Sequence, residues 1–480
     1  MPISTPGVGS GLDVNSIVSQ LMAIERQPIT ALDTKQQSFR TQLSAFGTIK
    51  NALAKLQTAV SALQTNEKFL SFKTTVSDEK ILTASANASA VAGSFSVEVS
   101  ALAQAQQLSK GGFAGSSDVV GTGTLHLELG TYSGGAFTAN PDKTAVDIAI
   151  GPTTNTLAGI RDAINRASAG VSATIVNGVA GSQLFITAND TGITNSIRIT
   201  AVDDDGNNVD DAGLSKLVYD ATTAGGNIAN LAETKAATNA ALKINGIDVS
   251  SPSNAVSGAI DGITLNLIKT NVGTPTTVAV NQDSAAIKEK ITAFVTAYND
   301  ARKAVKDLTA FDSINNTAAP LNGDSAARAA QSRLRTILTS VIDTGSASPL
   351  RLPDIGITFQ ADGVLAINDQ KLQSALDNPN KNVASLFVEA NGVKGYAAQL
   401  NTAITGMLDT DGLITGRTAG IDKSIHDLDK RRDSLQSRMD IVERRLRAQF
   451  TALDTAIARM QTTSSFLTQQ LASLNSINNR

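Results

Sequence analysis

The sequence contains no cysteine and no tryptophan, and aromatic residues make up only 4% of its 480 residues. The absence of cysteine excludes disulfides, thiolate chemistry and cysteine-based zinc sites. With so few aromatic rings, we expect aliphatic cores. Charged residues are scarce at 17%, and the net charge of -3 provides no basic excess that would attract nucleic acid or an anionic membrane.

The chain also lacks long apolar runs. No stretch approaches the roughly 20 apolar residues of a membrane span. The first ten residues have neither the charged start nor the apolar core of a secretory signal peptide. We therefore expect no membrane insertion, and either a cytoplasmic protein or one exported by a route that cleaves no signal. The lack of cysteine is compatible with export in an unfolded state.

Heptad patterns occupy both ends of the chain. The N-terminal seam consists of Leu32, Phe39, Phe46, Ile49, Leu53, Leu56, Val60 and Leu63. The C-terminal seam follows Ile421, Ile425 and Leu428 and consists of Leu435, Met439, Val442, Leu446, Phe450, Leu453, Ile457, Met460, Leu467, Leu471 and Leu474. Heptads sustained over so many turns predict coiled-coil packing, with the other end of the chain or a neighbouring copy as the partner. We interpret both seams as assembly surfaces.

Local signals predict where the terminal helices begin and end. A first helix is expected from Asp13, with Val14, Ile17, Val18, Leu21 and Ile24 on one face. Pro28 should interrupt it, because proline lacks the N–H that helix continuation needs. The heptad helix then covers about residues 30–64. Gly412, Gly416 and Gly420 are expected to be breaks before the last helix.

The segment between the helices predicts a β-rich region. Short alternating runs separated by turn residues occupy about residues 69–280, with a short helix at 156–168. Asn177-Gly, Asn245-Gly and Asp261-Gly are dipeptides that favour tight hairpins. Residues 221–241 have little hydrophobic periodicity, so we expect a loop or a hinge there.

Candidate chemical sites are few. His126 lies on the polar face of an alternating strand, His426 lies off the heptad seam, and neither has clustered partners. Gly7–Gly11 has no preceding strand and its glycine spacing does not match a dinucleotide loop. The acidic loop 203–211 lacks glycine at position six and a glutamate at position twelve, so a surface turn is favoured over a calcium site. We predict no enzyme, no cofactor, no metal and no catalytic residue.

Two basic clusters, 430–432 and 444–447, lie on the last helix. Acidic residues are interleaved with them, among them Asp429, Asp433 and Glu443. Such a mixture is typical of ion pairs along coiled-coil flanks, whereas a nucleic-acid surface would need a basic stripe. We therefore predict no nucleic-acid partner.

Several motifs resemble those of a known family. The segment Gly9-Ser-Gly-Leu-Asp-Val to Arg26-Gln-Pro28, followed by a heptad helix, and the segment 93–107 resemble the flagellar hook-associated protein 2 family, the bacterial filament-capping proteins. Further similar motifs, in the family's order, are Ile244-Asn-Gly-Ile-Asp-Val, Asp261-Gly-Ile-Thr-Leu-Asn-Leu, Phe294-Val-Thr-Ala-Tyr-Asn299, Gly323-Asp-Ser325, Ile355-Gly-Ile-Thr and Asp362-Gly-Val-Leu. Residues 146–191 resemble a repeat inserted in flagellins.

The resemblance implies an α+β multidomain fold, in which N- and C-terminal helices pair as a coiled-coil leg and β-rich head domains are inserted between them. The predicted division is terminal leg segments at 1–40 and 455–480, flexible in the monomer, a helical leg domain with small β elements at 41–105 and 275–454, a β-rich head domain at 106–135 and 236–274, and a second one, with the flagellin-type repeat, at 136–235.

The resemblance also implies a function and partners. The protein would be secreted through the flagellar type III system without a cleavable signal and would cap the filament tip outside the cell. There it would retain exported flagellin and promote flagellin folding and insertion. The implied partners are a ring of its own copies (a pentamer, or about four to six copies), flagellin, a hook-associated junction protein and an export chaperone.

Two alternatives remain open from the sequence. A filament or junction subunit, such as flagellin, would share the paired terminal helices but would form open polymers instead of closed rings. An adhesin would bind host mucin or glycans through the head, and this role could coexist with capping.

Overall fold

The computed structural model describes residues 13–223, 226–342, 351–378, 381–390 and 392–477. The glycine-rich leader, including Gly7–Gly11, lies outside these residues. The chain divides into two compact units. A helical unit comprises Met1–Phe69 and Lys288–Arg480, and a β-rich unit comprises Leu70–Ile287.

Within the described ranges, the α-helices are α1 (Val14–Glu25), α2 (Gln27–Ser61), α3 (Asn66–Phe69), α4 (Leu157–Ala167), α5 (Ser284–Thr309), α6 (Ser325–Thr339), α7 (Asp369–Leu376), α8 (Ala384–Phe387), α9 (Tyr396–Leu408) and α10 (Leu413–Ile477). Short 3-10 helices cover Ile193–Asn195, Gly213–Leu217 and Leu352–Ile355.

The strands of the β-rich unit are β1 (Phe72–Val76), β2 (Leu82–Ala86), β3 (Gly93–Ala101), β4 (Gln107–Phe113), β5 (Gly123–Ser133), β6 (Ala136–Ala139), β7 (Val146–Ile150), β8 (Val171–Gly178), β9 (Gly181–Ala188), β10 (Ser196–Asp203), β11 (Tyr219–Asp220), β12 (Ile228–Ala229), β13 (Ala232–Lys235), β14 (Ala240–Ile244), β15 (Ile247–Ser251), β16 (Ala255–Ile260), β17 (Ile263–Leu267) and β18 (Thr276–Gln282). Three short hairpins of the helical unit are β19 (Phe311–Asp312) with β20 (Thr317–Ala318), β21 (Ile357–Phe359) with β22 (Leu365–Ile367), and β23 (Glu389–Ala390) with β24 (Val393–Lys394).

Capping residues set the helix boundaries. The Asp13 carboxylate accepts a hydrogen bond from the Ser16 amide at 3.0 Å and begins α1. Arg26 separates α1 from α2, and Pro28 lies in the first turn of α2, where its missing N–H costs nothing. Thr156 caps α4 in the same way as Asp13, through the Gly159 amide at 3.1 Å. The predicted interruption near Pro28 and the predicted short helix are confirmed.

Two aliphatic cores fill the β-rich unit. The first lies between the sheet β1-β18-β3-β14-β15 and the sheet β16-β17-β2, and contains Val97, Leu242 and Val278. The second contains Leu125, Ile160 and Ile186, and brings α4 against the sheet of β5, β7 and β10 and the sheet β13-β4-β9-β8. Every pairing is antiparallel, so each strand can alternate between a buried and an accessible face.

The turn dipeptide at residues 245–246 joins β14 and β15. Asn245 has φ 48° and Gly246 has φ 85°, the two left-handed positions of a type I′ turn. The dipeptide thereby fixes the register in which Ile244 faces Ile247.

The fold class is confirmed: terminal helices pair, and a β-rich region is inserted between them. The contact division falls at 69/70 and 287/288, because strands at 72–101 hydrogen-bond with strands at 240–282. The finer four-part assignment of domains, with its boundaries at 105, 135, 235 and 274, stays a prediction, as does the flexibility of 1–40 and 455–480.

Two local predictions are wrong. Residues 221–241, expected to be a loop or hinge, contribute β12, β13 and the start of β14. Hydrogen bonds to the edges of two sheets stabilise β12 and β13 as strands although the segment has little hydrophobic periodicity. Gly416 and Gly420 lie inside α10 and break nothing. Ile414 and Ile421 on the same helix are fully buried, and this burial outweighs the cost of about 1 kcal/mol for each glycine.

Candidate assembly surface

The N-terminal seam lies along α2, and its last member, Leu63, follows the end of that helix. Its C-terminal part is completely enclosed, whereas Leu32 and Phe39 are half-buried. The buried members are Phe46, Ile49, Leu53, Leu56, Val60 and Leu63. Their partners within the helical unit lie on α9 and α10, because α2 contacts both helices. This part of the seam therefore serves the core of the unit.

The C-terminal seam changes from buried to exposed along α10. Ile421, Ile425 and Leu428 are buried, as is Met439, in the first part of the helix. Leu435, Val442, Leu446, Phe450 and Ile457 are half-buried. Leu453, Met460, Leu467 and Leu471 are exposed, with 46%, 65%, 55% and 62% of their surface accessible. The side chain of Leu474 lies outside the described residues.

The seam continues past its intramolecular partners. Residues 459–472 are all exposed and span about 21 Å of helix. Phe466 is 59% exposed beside Leu467 and lies off the predicted heptad seam. A large exposed apolar stripe is typical of a protein interaction surface.

α1 covers the middle of α10. Val14, Val18 and Met22 form a buried cluster with Met439, and Val442, Leu446 and Phe450 pack against it. The sequence predicts Leu21 and Ile24 on one face with Val14 and Val18, but these two side chains are 38% and 62% exposed. Val14, Val18 and Met22 are spaced four residues apart, and this spacing keeps side chains in one row along a helix. It was the sequence signal for the buried face of α1.

Polar contacts fix the antiparallel register of the two ends. The Gln36 amide donates to the Asp429 carboxylate at 2.7 Å, and Arg26 reaches Glu443 at 3.4 Å. Arg447 donates to Asn15 at 2.9 Å and also pairs with Glu443. Asp429, Glu443 and Arg447 come from the clusters predicted to form ion pairs, so the basic residues of α10 are in part neutralised by neighbouring acids.

A buried carboxylate connects two helices near the start of α10. Asp324 accepts hydrogen bonds from the Ala326 and Ala327 amides at 2.9 and 3.1 Å, and so caps α6. Arg417 donates to the same carboxylate at 2.9 Å. Asp324 is nearly inaccessible, and the guanidinium supplies the charge partner that a buried carboxylate requires.

Charged side chains form a ladder on the β-rich unit. His126 on β5 contacts Asp147 on β7 at 2.5 Å and Glu128 at 3.0 Å. Glu128 pairs in turn with Arg198 on β10, which also reaches the buried Asp220 at 2.8 Å. The hydrogen bonds to Asp147 and then Glu128 raise the pKa of His126 above its ordinary value of 6.5. The ladder joins cross-strand neighbours, a stabilising arrangement in sheets.

The acidic loop at 203–211 is built from local hydrogen bonds. The Asp203 carboxylate accepts a hydrogen bond from the Ser215 amide at 2.8 Å, and the Asn208 side chain accepts one from the Asp203 amide. Among the described residues, no group of three histidine or acidic side chains has the arrangement of a metal site. In the same part of the chain, no helix combines the length and apolar character of a membrane span.

These contacts all lie within one molecule, so the role of both seams in assembly stays a prediction. The two seams differ in how exposed their side chains are. Leu56 and its neighbours are already enclosed, whereas Leu453 and Met460 remain accessible. Accessible apolar positions are the ones that can bind a second molecule.

Comparison with known proteins identifies the origin of this architecture. The family models for the flagellar hook-associated protein 2 C-terminus and N-terminus match residues 237–462 and 10–106. The flagellar hook-associated protein 2 of Escherichia coli K12 is 34% identical over 477 residues, which cover 98% of each chain. The B-type flagellar hook-associated protein 2 of Pseudomonas aeruginosa is 32% identical and covers 98% of this chain and 97% of its own.

A solved structure has the same fold. The crystal structure of the D1-D2-D3 domains of the flagellar cap protein FliD from Escherichia coli superimposes with a TM-score of 0.67 at 31% identity, and covers 79% of this chain and 99% of that one. The two family models together cover α1, α2 and α10 as far as residue 462, and they match the two ends of the β-rich unit, in the order expected from the sequence motifs. This chain belongs to the flagellar hook-associated protein 2 family.

Proposed function

We propose that this protein caps the distal end of the bacterial flagellar filament, where it retains exported flagellin and promotes flagellin folding and insertion. The observation that carries the proposal is the match over 98% of the chain to a family whose solved E. coli member is described as a flagellar cap protein. The protein is structural, and its work is done by binding surfaces.

The exposed end of α10 is the proposed contact with the filament. Leu453, Met460 and Leu467 present exposed apolar side chains along α10, in a part of the helix where other helices of the helical unit do not cover them. Fully burying such a side chain contributes roughly 1.5–3 kcal/mol, and covering the exposed half of each contributes about half of that, so several together can hold a moving cap in place. Flagellin subunits, or the legs of neighbouring copies, would cover this stripe.

The cap acts as an oligomer on the filament, outside the cell. In finer detail, we propose a closed homo-oligomeric ring, a pentamer or a ring of about four to six copies. Export would proceed through the flagellar type III system without a cleaved signal. An export chaperone and a hook-associated junction protein are the other proposed partners.

The alternative functions receive less support. The matched relatives named above are hook-associated proteins 2 and not flagellins, so they do not support the alternative that the protein is a filament subunit. Among the residues of the β-rich unit that the structure describes, no contact or charge pattern supports mucin or glycan binding over capping. No arrangement of titratable groups described above suggests an enzymatic reaction.

Deletion and add-back test the proposal. We expect a strain that lacks the gene to release flagellin monomers and to carry few filaments, and purified protein added outside the cell to restore growth. A Leu467→Asp/Leu471→Asp variant should fold normally and fail to restore growth, because it charges the exposed stripe. The matched control is Ile268→Asp, at a position 52% exposed in the β-rich unit.

Normal filaments in the deletion strain would overturn the capping function. Restoration by the double aspartate variant would leave capping in place but would move the filament contact away from α10.

A further inference from the structure

The hairpin of β19 and β20 carries two exposed apolar side chains. Ile314 at its tip is 92% exposed and Phe311 is 55% exposed. The Asp312 carboxylate holds the turn by accepting hydrogen bonds from the Ile314 and Asn315 amides at 2.9 and 3.1 Å. An apolar tip on a hydrogen-bonded turn is a surface suited to insertion into a cavity.

The base of this hairpin is fixed to the end of α5. The Ala319 amide donates to the Ala310 carbonyl at 2.9 Å, and the Leu321 amide donates to the Leu308 carbonyl at 2.9 Å. Leu321 itself is buried. The hairpin therefore presents Ile314 in one orientation before any partner arrives, which lowers the entropy cost of binding.

A cavity of about 390 Å³ opens between α6 and α9, in the same helical unit. Its lining is mainly apolar and includes Thr336, Ile337, Thr402 and Ala403. Arg333 and Lys394 contribute two positive charges to it. We call this cavity the α6–α9 groove.

We propose that the hairpin of one copy docks into the α6–α9 groove of a second copy of this chain. Ile314 and Phe311 would enter the apolar cavity, and Asp312 would approach Arg333 and Lys394. The high exposure of Ile314 shows that the tip does not occupy the groove of its own chain. Opposite charges on the two surfaces orient the partners and exclude the reversed docking.

This contact joins two different patches of the same protein. Such a head-to-tail contact closes into a ring when its rotation divides a full turn, and otherwise gives an open polymer. The inference rests on the proposed ring-shaped cap and names the surfaces that would form it in the helical unit.

Cysteine cross-linking tests the docking, because the natural chain has no cysteine. Full-length Ile314→Cys and Thr402→Cys proteins are mixed without flagellin and oxidised. Disulfide formation requires Cβ atoms within about 4.5 Å, so docked chains should give a cross-linked dimer. A chain with both substitutions should give a ladder that ends at the ring. The control is Val179→Cys mixed with Thr402→Cys, because Val179 is fully exposed on the hairpin of the β-rich unit.

Sedimentation of the same samples separates the possible failures. An oligomer without cross-linking above the Val179→Cys control would overturn the docking but not the ring. The absence of any oligomer at high protein concentration would overturn both.

A second variant removes the dependence on disulfide geometry. Ile314→Asp should weaken self-association at least tenfold, whereas Val179→Asp should leave it unchanged. If Ile314→Asp forms normal oligomers yet fails to support filament growth, the hairpin binds flagellin and the proposal is wrong.

Discussion

The amide of Gln36 donates a hydrogen bond to the carboxylate of Asp429 at 2.7 Å, across 393 residues of sequence. Gln36 is buried, whereas its partner Asp429 on α10 is partly accessible. This contact is one of those that fix which turn of α2 faces which turn of α10. The contribution of the Gln36 side chain to the register can therefore be tested by substitution.

Substituting Gln36→Ala should lower the free energy of unfolding by about 1–2 kcal/mol, because a hydrogen bond to a charged group is lost and Asp429 is left with fewer partners. Urea denaturation followed by circular dichroism measures the change. Gln37→Ala, at the exposed neighbouring position, should have an effect below about 0.5 kcal/mol. Equal effects of the two substitutions would contradict the assigned register.

The two seams should respond oppositely to truncation. Leu56 is fully buried, so Leu56→Ala should cost about 2–5 kcal/mol of stability through lost burial and a residual cavity. Leu453 is 46% exposed, so Leu453→Ala should change stability by less than about 0.5 kcal/mol while it reduces filament growth. Thermal unfolding and the add-back assay give the two readouts. A stability loss at Leu453 as large as at Leu56 would mean that α10 is covered within the monomer.

The interior glycines of α10 should be replaceable with a gain in stability. A Cβ at Gly416 or Gly420 would meet nothing within 4 Å, so Gly416→Ala should add about 0.5–1 kcal/mol by favouring the helix. Gly412 is the contrasting position, because a Cβ there would lie 2.6 Å from the Met407 carbonyl oxygen. Gly412→Ala should therefore destabilise the protein, as measured by the urea midpoint. A loss of stability at Gly416 would indicate a close neighbour in solution.

The charge ladder makes part of the stability of the β-rich unit depend on pH. Since its carboxylate partners raise the pKa of His126 above 6.5, folding favours the protonated imidazole. The stabilising contribution is fully present below the unfolded-state pKa and is lost as the pH rises through the folded-state pKa. Asp147→Asn should bring the pKa of His126 down towards 6.5, since the largest cause of the shift is removed.

The sequence has two histidines, which simplifies this measurement. NMR titration of the imidazole signals gives the pKa directly, and His426→Asn identifies the His126 signal without touching the ladder. A titration of His126 that is the same in the parent and in Asp147→Asn would exclude the carboxylate as the cause.

Local signals were sufficient for most helix and turn positions. Asp13 and Thr156 mark helix starts that the structure reproduces, and Pro28 lies beside the predicted interruption, because capping and proline geometry depend only on neighbouring residues. Residues 221–241 could not be assigned in this way. Their strands are defined by partners such as β3 and β4, which lie elsewhere in the sequence.

The glycines of α10 were misleading because their local preference against a helix is opposed by packing with residues distant along the chain. The preference of Gly416 and Gly420 against a helix is a local term of about 1 kcal/mol, and the packing of α10 in the helical unit exceeds it. The sequence contains the local term, but the opposing term comes from neighbours that are distant along the chain.

The sequence by itself determined the two heptad seams, the β-rich insertion and the family motifs, since periodicity and turn chemistry are properties of short segments. Only the tertiary structure decided which seam positions are already covered. Leu56 and Met439 are buried because other helices lie over them, whereas Met460 and Phe466 carry equally apolar side chains that remain accessible. A heptad records that a side chain needs a partner, and the three-dimensional arrangement determines whether that partner belongs to the same molecule.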